Sequence, residues 1–287
     1  KSLANKKKRA ISYEYGDIGI FNKGEKDEVP FLDETMLINY SSKFHKALDF
    51  IKLSKGICYV YSEFVLAGVI PFAIMLEQNG FERYTVKGES QLLNYSPNKL
   101  GGGGKRRIIC YKCGKYASDE IHKPKHKNYH KWGSAKYILV TGSSDQTTQI
   151  TISQVSDIMS SNTNKYGEEV KVIIGTRVAG EGINFKRIRQ VHILEPWHNL
   201  SRLEQVAGRA VRFCSHVALP EDMRNVDVFM YAAVPPKTEN KRIRETETID
   251  LNYYRNAENK DVMIKKVEAV LREAAVDCAL NMDGKVI

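Results

Sequence analysis

Five short runs of apolar residues recur through the middle of the chain, and most of them end at a polar residue or a glycine. The runs occupy positions 57–61, 137–140, 170–174, 191–194 and 228–231. Segments with the apolar spacing of a helix separate several of these runs. Near-continuous apolar strands that alternate with helices are typical of a parallel sheet covered on both faces. We therefore predict a three-layer α/β domain with a central, mostly parallel sheet.

Apolar residues at helical spacing predict helices over 35–52, 63–79, 200–212 and 260–280. Pro71 lies inside the second helix, where it would kink the helix or mark a new start. The last helix carries an apolar stripe that fits one buried face, packed on the core or on an absent partner. The stripe consists of Val262, Val267, Val270, Leu271 and Ala274.

These patterns divide the chain into three parts. Residues 1–35 are predicted to be an N-terminal connector, 36–235 the α/β domain, and 236–287 a helical C-terminal extension. The stretch at about 81–135 is too irregular to belong to the sheet and is predicted to be an insertion. Since the first residue is Lys1 rather than Met, we expect the chain to start inside a longer protein or after processing.

Composition restricts the partners and the compartment. A net charge of +10 favours a polyanionic partner such as DNA or RNA. The five cysteines are odd in number and mostly scattered, which excludes a dense disulfide framework and indicates a reducing, intracellular setting. Because no apolar run approaches about 18 residues, we predict no membrane span.

Polar residues follow three of the predicted strands: Ser62, then Thr141 with Gly142, and Thr176; the segment after Leu194 follows a fourth. The carboxyl ends of parallel strands share one edge of a sheet, and ligands bind beyond that edge. Each of these residues alone fits an ordinary loop, but together they indicate a binding face.

A second candidate site lies on the predicted helix 200–212. Arg209 and Arg212 are three residues apart and would project from the same helical face. Paired guanidiniums suit a phosphate, and the transfer of a phosphoryl group needs such positive charge. Gly208 would allow close approach of a ligand. A solvated helix with exposed arginines is the alternative on spacing alone.

The wider context resembles motifs V and VI of superfamily 2 helicases, in residue types, order and spacing. Motif V corresponds to residues 175–185, and motif VI to the Gln-x-x-Gly-Arg-x-x-Arg sequence at 205–212. The resemblance implies a RecA-like fold, the second motor domain of an ATP-dependent helicase or translocase. It implies that Gln205, Arg209 and Arg212 face ATP, that Gly180, Gly182 and Asn184 lie near the nucleotide, and that Thr176 contacts the nucleic-acid backbone. Residues 57–62 and 137–142 resemble two further motifs, which implies nucleic-acid contact by Ser62, Thr141 and Gly142.

Residues 195–199, 209–216 and 275–281 narrow the resemblance to helicases of large nucleo-cytoplasmic DNA viruses: poxvirus nucleoside triphosphatases and their asfarvirus and giant-virus counterparts. This likeness implies a viral protein of the host cytoplasm or the virion, with the viral transcription machinery as a candidate partner.

The sequence contains no Gly-x-x-x-x-Gly-Lys-Ser/Thr phosphate loop and no acidic magnesium-binding box. The ligands of ATP and Mg²⁺ are therefore expected mostly in an absent N-terminal helicase domain, and the chain alone should not hydrolyse ATP. A non-catalytic nucleic-acid-binding or scaffolding subunit that retains the helicase fold is the alternative function.

The predicted insertion contains a candidate zinc site. Cys110 and Cys113 form a Cys-x-x-Cys pair, and His122, His126 and His130 follow at intervals of four. Two thiolates and two imidazoles suit tetrahedral zinc. Cys110, Cys113, His122 and His126 form the first ligand set we consider, although any two of the three histidines could serve. A solvated, basic loop that contacts nucleic acid is the alternative.

Overall fold

The computed structural model describes residues 13, 20–22, 28–85, 91–93, 107–141, 150–177, 183, 185–235 and 247–275. The chain divides into two compact units. The first unit comprises residues 1–195 and 206–231, and the second comprises 196–205 and 232–287.

The first unit contains a short antiparallel hairpin and a six-stranded sheet. The hairpin consists of β1 (Ile20–Asn22) and β2 (Glu28–Pro30). The sheet consists of β3 (Ile57–Tyr61), β4 (Glu82–Arg83), β5 (Lys136–Val140), β6 (Val172–Gly175), β7 (Ile188–Ile193) and β8 (Asp227–Met230). All its neighbouring strands pair in parallel, in the order β4-β5-β6-β3-β7-β8. The predicted α/β class with a central parallel sheet is confirmed.

Helices of the first unit supply much of the core. They are α1 (Glu34–Leu37), α2 (Ser42–Leu53), α3 (Ile70–Gln78) and α4 (Ile152–Ser160). Leu48 of α2 and Phe72 of α3 are buried in one cluster with Val60 of β3. Because every side chain of β3 is buried, this central strand is covered on both of its faces.

The single helix predicted at 35–52 is wrong, since two helices occupy that segment. The chain turns at 38–41, and Ser41 starts α2 by accepting a hydrogen bond from the Phe44 backbone N–H. The helical spacing of apolar residues continues almost unbroken across the turn, because Leu37 of α1 and Leu48 of α2 are buried in the same core. In the next predicted helix, Pro71 marks a new start: a π-helical turn, Val65–Val69, precedes α3.

The predicted insertion at 81–135 begins too early. β4 lies inside it and forms the edge of the sheet, because Glu82 and Arg83 pair in parallel with Lys136 and Tyr137. Two residues carry too little pattern to be identified as a strand from sequence.

Helix α5 (Leu200–Ala210) crosses the division between the units, and α6 (Ile249–Glu273) belongs to the second unit. Helix α6 starts earlier than predicted, at a Thr248 cap. The stripe expected to be buried is exposed at Val262, Val267, Val270 and Leu271. A helical period shows which residues share a face, but it does not reveal whether anything covers that face. None of the described helices combines the length and the apolar character needed to cross a membrane.

Candidate nucleotide and nucleic-acid site

The carboxyl ends of the central strands are aligned by backbone hydrogen bonds that continue past the strands. Ser62 N–H donates to the Gly175 carbonyl at 3.1 Å, and Thr176 N–H donates to the Val140 carbonyl at 3.2 Å. Leu194 N–H donates to the Tyr61 carbonyl at 3.1 Å. The residues after β3, β5, β6 and β7 therefore lie along one edge of the sheet, as a parallel arrangement requires.

Ser62 and Glu195 meet at this edge. The Ser62 hydroxyl donates to Glu195 Oε1 at 2.9 Å, and the Glu63 N–H donates to Glu195 Oε2 at 3.2 Å. Ser62 is fully buried, so its hydroxyl contacts Glu195 rather than solvent. A Cβ on Gly68 would lie 1.8 Å from Ser62 Oγ, so only glycine leaves room for this contact.

Glu195 begins the segment after Leu194, which the sequence placed at this edge without singling out Glu195 itself. Burial raises the pKa of the Glu195 carboxyl group, and the two hydrogen bonds and the charge of Lys43 act in the opposite direction. Lys43 comes from α2, and its Nζ donates to the Leu194 carbonyl at 3.2 Å. The acidic position directly after an apolar strand was a usable signal for Glu195, whereas Lys43 is 151 residues away and gave none.

Thr141 and Thr176 are both largely buried, at the ends of β5 and β6. Gly142, Gly180, Gly182 and Asn184 lie outside the described residues. Two apolar residues of the same motif, Ile183 and Phe185, are buried. The Phe185 ring packs on the ring of Tyr59 in β3, with the centroids 4.4 Å apart. This contact anchors Phe185, the end of the glycine-containing segment (residues 175–185), to the central strand.

Arg209 lies in the last turn of α5, next to buried Val206 and Ala210. Burial raises the pKa of the Tyr59 phenol and Tyr61 adds to the effect, while the positive charge of Arg209 acts in the opposite direction. Arg209 is therefore close enough to β3 for its charge to act on Tyr59.

Helix α5 ends at Ala210, two residues before the predicted end, so Arg212 follows the helix rather than lying on it. Arg212 is exposed and Arg209 is partly exposed. Gln205 lies in the part of α5 that belongs to the second unit, where it is exposed. Apart from its chain neighbours and the backbone of its own helix, no described atom lies within 4 Å of where a Cβ on Gly208 would be, so open space faces the helix at that position.

A hydrogen-bonded turn holds the backbone of Arg212. The Ser215 N–H and hydroxyl donate to the Arg212 carbonyl at 3.0 and 2.7 Å. His216 Nε2 donates to the Ile188 carbonyl at the start of β7, at 2.6 Å. The Ser215 carbonyl accepts from the N–H of buried Arg187 at 3.0 Å. Arg212 thus projects from a segment that hydrogen bonds fix to the sheet. The prediction of a helix up to residue 212 missed this turn, in which Cys214 adopts a φ of 61°.

Comparison with known proteins finds a family model that matches part of this chain. Residues 105–214 match the family described as the helicase conserved C-terminal domain. This part of the chain is similar to the C-terminal domains of helicases.

Relatives with similar sequences include proteins of several viruses. A protein of Acanthamoeba polyphaga mimivirus, named as a candidate ATP-dependent RNA helicase, is 30% identical over 88% of this chain and 22% of its own length. The termination factor NPH-I homolog of African swine fever virus is 30% identical over 86% of this chain and 34% of its own length. A candidate helicase of Invertebrate iridescent virus 3 is 28% identical over 88% of this chain and 21% of its own length. The chain thus spans about a fifth to a third of these relatives, and its predicted resemblance to viral helicases is confirmed.

The segment that matches the helicase C-terminal domain also contains a cluster of thiols and imidazoles. One ligand atom from each of Cys110, Cys113, His122 and His130 lies within 4.8 Å of the others. This group differs in one member from the first ligand set predicted from the sequence: it contains His130, whereas His126 is exposed and lies outside it. The Nδ1 of His126 instead accepts a hydrogen bond from the Asn128 N–H at 3.1 Å.

Proposed function

We propose that this chain is the second motor domain of an ATP-dependent helicase or translocase, and that Arg209 and Arg212 supply positive charge to ATP bound by another domain. The main support is the end of α5, where Arg209 and the anchored Arg212 closely follow Gly208, a glycine that faces open space. We also propose the division into connector, motor domain and helical extension at residues 35 and 235.

The mechanism that we propose rests on closure of two domains around the nucleotide. The other domain would provide the phosphate loop and Mg²⁺, and this chain would provide Gln205, Arg209 and Arg212. Guanidiniums stabilise the charge that develops on the γ-phosphate during transfer. Rigid placement matters because side chains that are already oriented avoid an entropic cost in the transition state. The Ser215 and His216 contacts supply that rigidity to Arg212.

The second half of the proposal concerns the roles of the glycine-containing segment and of the sheet edge. Gly180, Gly182 and Asn184 would lie near the nucleotide. Thr141, Gly142 and Thr176 would grip the nucleic-acid backbone, through hydroxyl and backbone N–H donors that suit phosphate oxygens. Buried Ser62 would act on this edge by positioning the segment that contains Glu195, since its hydroxyl is already engaged. Hydrolysis would reopen the cleft and shift the grip along the strand.

RNA is the first nucleic acid to test, because the mimivirus relative is named as an RNA helicase and the African swine fever virus relative as a termination factor homolog. A role in viral transcription, in the host cytoplasm or the virion, follows from the same names and is part of the proposal.

The decisive experiment substitutes the arginines in the longer protein that this proposal requires. Arg209→Ala and Arg212→Ala should each lower nucleic-acid-stimulated ATP turnover by about 1,000-fold or more while nucleic-acid affinity is retained. Arg212→Lys should recover little, since an ammonium lacks the forked donors. Arg272→Ala, at an exposed position of α6, is the matched control and should leave turnover unchanged.

Two outcomes would count against the proposal. Turnover near the wild-type rate in both alanine variants would remove the role of the arginines. A longer protein that binds nucleic acid but hydrolyses no ATP would favour a binding or scaffolding subunit that retains the fold. The chain alone should show no ATPase activity above background.

A further inference from the structure

The Cys-x-x-Cys segment folds as a tight knuckle that directs both thiols to one side. Cys110 N–H donates to the Lys115 carbonyl at 2.8 Å, and Gly114 N–H donates to the Cys110 carbonyl at 2.9 Å. Gly114 has a φ of 67°, a backbone conformation that favours glycine. The knuckle is pressed against the core, because a Cβ on Gly114 would lie 2.7 Å from the Lys52 carbonyl oxygen at the end of α2.

The two histidines reach the knuckle by different routes. His122 ends a short 3₁₀ helix, Glu120–His122. His130 precedes the segment that returns to β5, and this segment pairs with the knuckle: Tyr111 N–H donates to the Gly133 carbonyl and Ala135 N–H to the Ile109 carbonyl, both at 2.9 Å. Backbone pairing therefore sets the position of the returning segment beside Cys110.

The separations between donor atoms fit a tetrahedral ion. Cys110 Sγ lies 3.4 Å from His130 Nε2, and Cys113 Sγ lies 3.4 Å from His122 Nε2. Bond lengths of about 2.3 Å to sulfur and about 2.05 Å to nitrogen place such pairs about 3.6 Å apart around tetrahedral zinc. We propose that Cys110, Cys113, His122 and His130 form a structural zinc site.

The surrounding segment explains why an ion is needed there. Every residue from 123 to 129 is exposed, and several of them are lysines, so this loop has little apolar surface to bury. Four protein ligands leave no open position, so the ion would hold the loop in place rather than carry out catalysis.

The site would thereby stabilise one end of the motor sheet. Its ligands flank the returning segment 133–135, which leads directly into β5 and, at the far end of that strand, Thr141. The ion would also fix the exposed Lys123, Lys125 and Lys127 to the domain as a basic surface. This zinc site is independent of the proposed motor function, because no ATP-directed residue belongs to it.

Metal content tests the ligand set. The chain, purified under reducing conditions from cells grown with zinc, should contain about one zinc per molecule. His130→Ala and Cys113→Ser should each retain less than about a tenth of that content. His126→Ala is the matched control, since it removes a histidine of the same loop, and it should keep the full content. Absence of zinc from the wild-type chain, or equal loss in the His126 and His130 variants, would overturn the proposal.

A second measurement does not depend on whether the variants fold. X-ray absorption at the zinc edge of the wild-type chain should give two sulfur ligands at about 2.3 Å and two nitrogen ligands at about 2.05 Å. A shell of nitrogen and oxygen alone, or one with four sulfurs, would overturn the assignment.

Discussion

The hydroxyl of Ser62 donates a hydrogen bond of 2.9 Å to the carboxylate of Glu195, although 133 residues separate them in the sequence. This contact joins the end of β3 to the segment after β7 at the sheet edge that we propose as the motor site. Glu195 ionises with difficulty there, because burial raises the pKa of its carboxyl group. The Ser62 hydrogen bond offsets part of that cost.

Ser62→Ala should destabilise the chain in a pH-dependent way. Loss of a hydrogen bond to a charged group should lower the free energy of unfolding by about 1.5–3 kcal/mol at pH 8. Because the folded-state pKa of Glu195 is raised, ionisation costs stability as pH rises through that pKa, and the variant would raise the pKa further. The loss should therefore shrink at pH 5. Urea unfolding at both pH values measures it, with exposed Ser201→Ala as the control; equal losses at the two pH values would contradict the prediction.

Gly208→Ala should separate stability from activity. Alanine at an exposed helical position with open space around its Cβ should raise the free energy of unfolding by about 0.5–1 kcal/mol. If that space receives the nucleotide-bearing domain, the same change should lower kcat of the longer protein by roughly 10- to 100-fold. Thermal unfolding of the chain and steady-state ATPase of the longer protein give the two values. A stabilised variant with unchanged kcat would show that nothing closes on this face.

His192 should make the chain sensitive to acid. The side chain is buried in the core: its Nε2 donates to Gln190 Oε1 at 3.2 Å and its Nδ1 accepts from the Tyr231 hydroxyl at 2.7 Å. Burial lowers the pKa of His192 to about 3. The unfolded chain therefore binds one more proton than the folded chain between about pH 3 and about pH 6.5, and stability falls as pH falls through that window.

The expected size of the His192 effect is a loss of roughly 1.4 kcal/mol at pH 5.5 relative to pH 8. His192→Gln should remove that part of the pH dependence, even if it lowers stability at every pH. His126→Gln, which removes an exposed imidazole, is the control. Denaturant unfolding between pH 5 and pH 8 measures the slopes, and an unchanged slope in the His192 variant would contradict the assignment.

Gly114→Ala should disturb the knuckle and its attachment to α2. A left-handed φ costs an alanine about 1–2 kcal/mol, and its Cβ would also meet the backbone oxygen of Lys52 at 2.7 Å. The free energy of unfolding should fall by at least that amount, together with the zinc content. Gly133→Ala is the milder control, since its Cβ would meet the movable ring of Tyr111. A larger loss in the control would mean that the knuckle is not fixed as described.

The local pattern of apolar and polar residues was enough to predict those parts of this protein that depend on residues close together in sequence. Continuous apolar runs require burial on both faces, so the strands from β3 to β8, apart from two-residue β4, were predictable to within about three residues at each end. The order and spacing of residues 175–185 and 205–212 also identified the helicase likeness, which the family match and the viral relatives confirm. The roles of Arg209 and Arg212 remain predictions.

Tertiary structure decided what depends on residues distant in sequence. Three histidines spaced by four were equivalent as ligands until the returning segment paired with the knuckle and brought His130, not His126, to Cys110. Glu195 and Lys43 became part of the site edge through contacts that span 133 and 151 residues. The sequence determines which surfaces must be buried, because burial of apolar groups depends on residue type and period. It does not by itself determine which distant segment comes to lie beside a given residue, because that depends on how the whole chain packs.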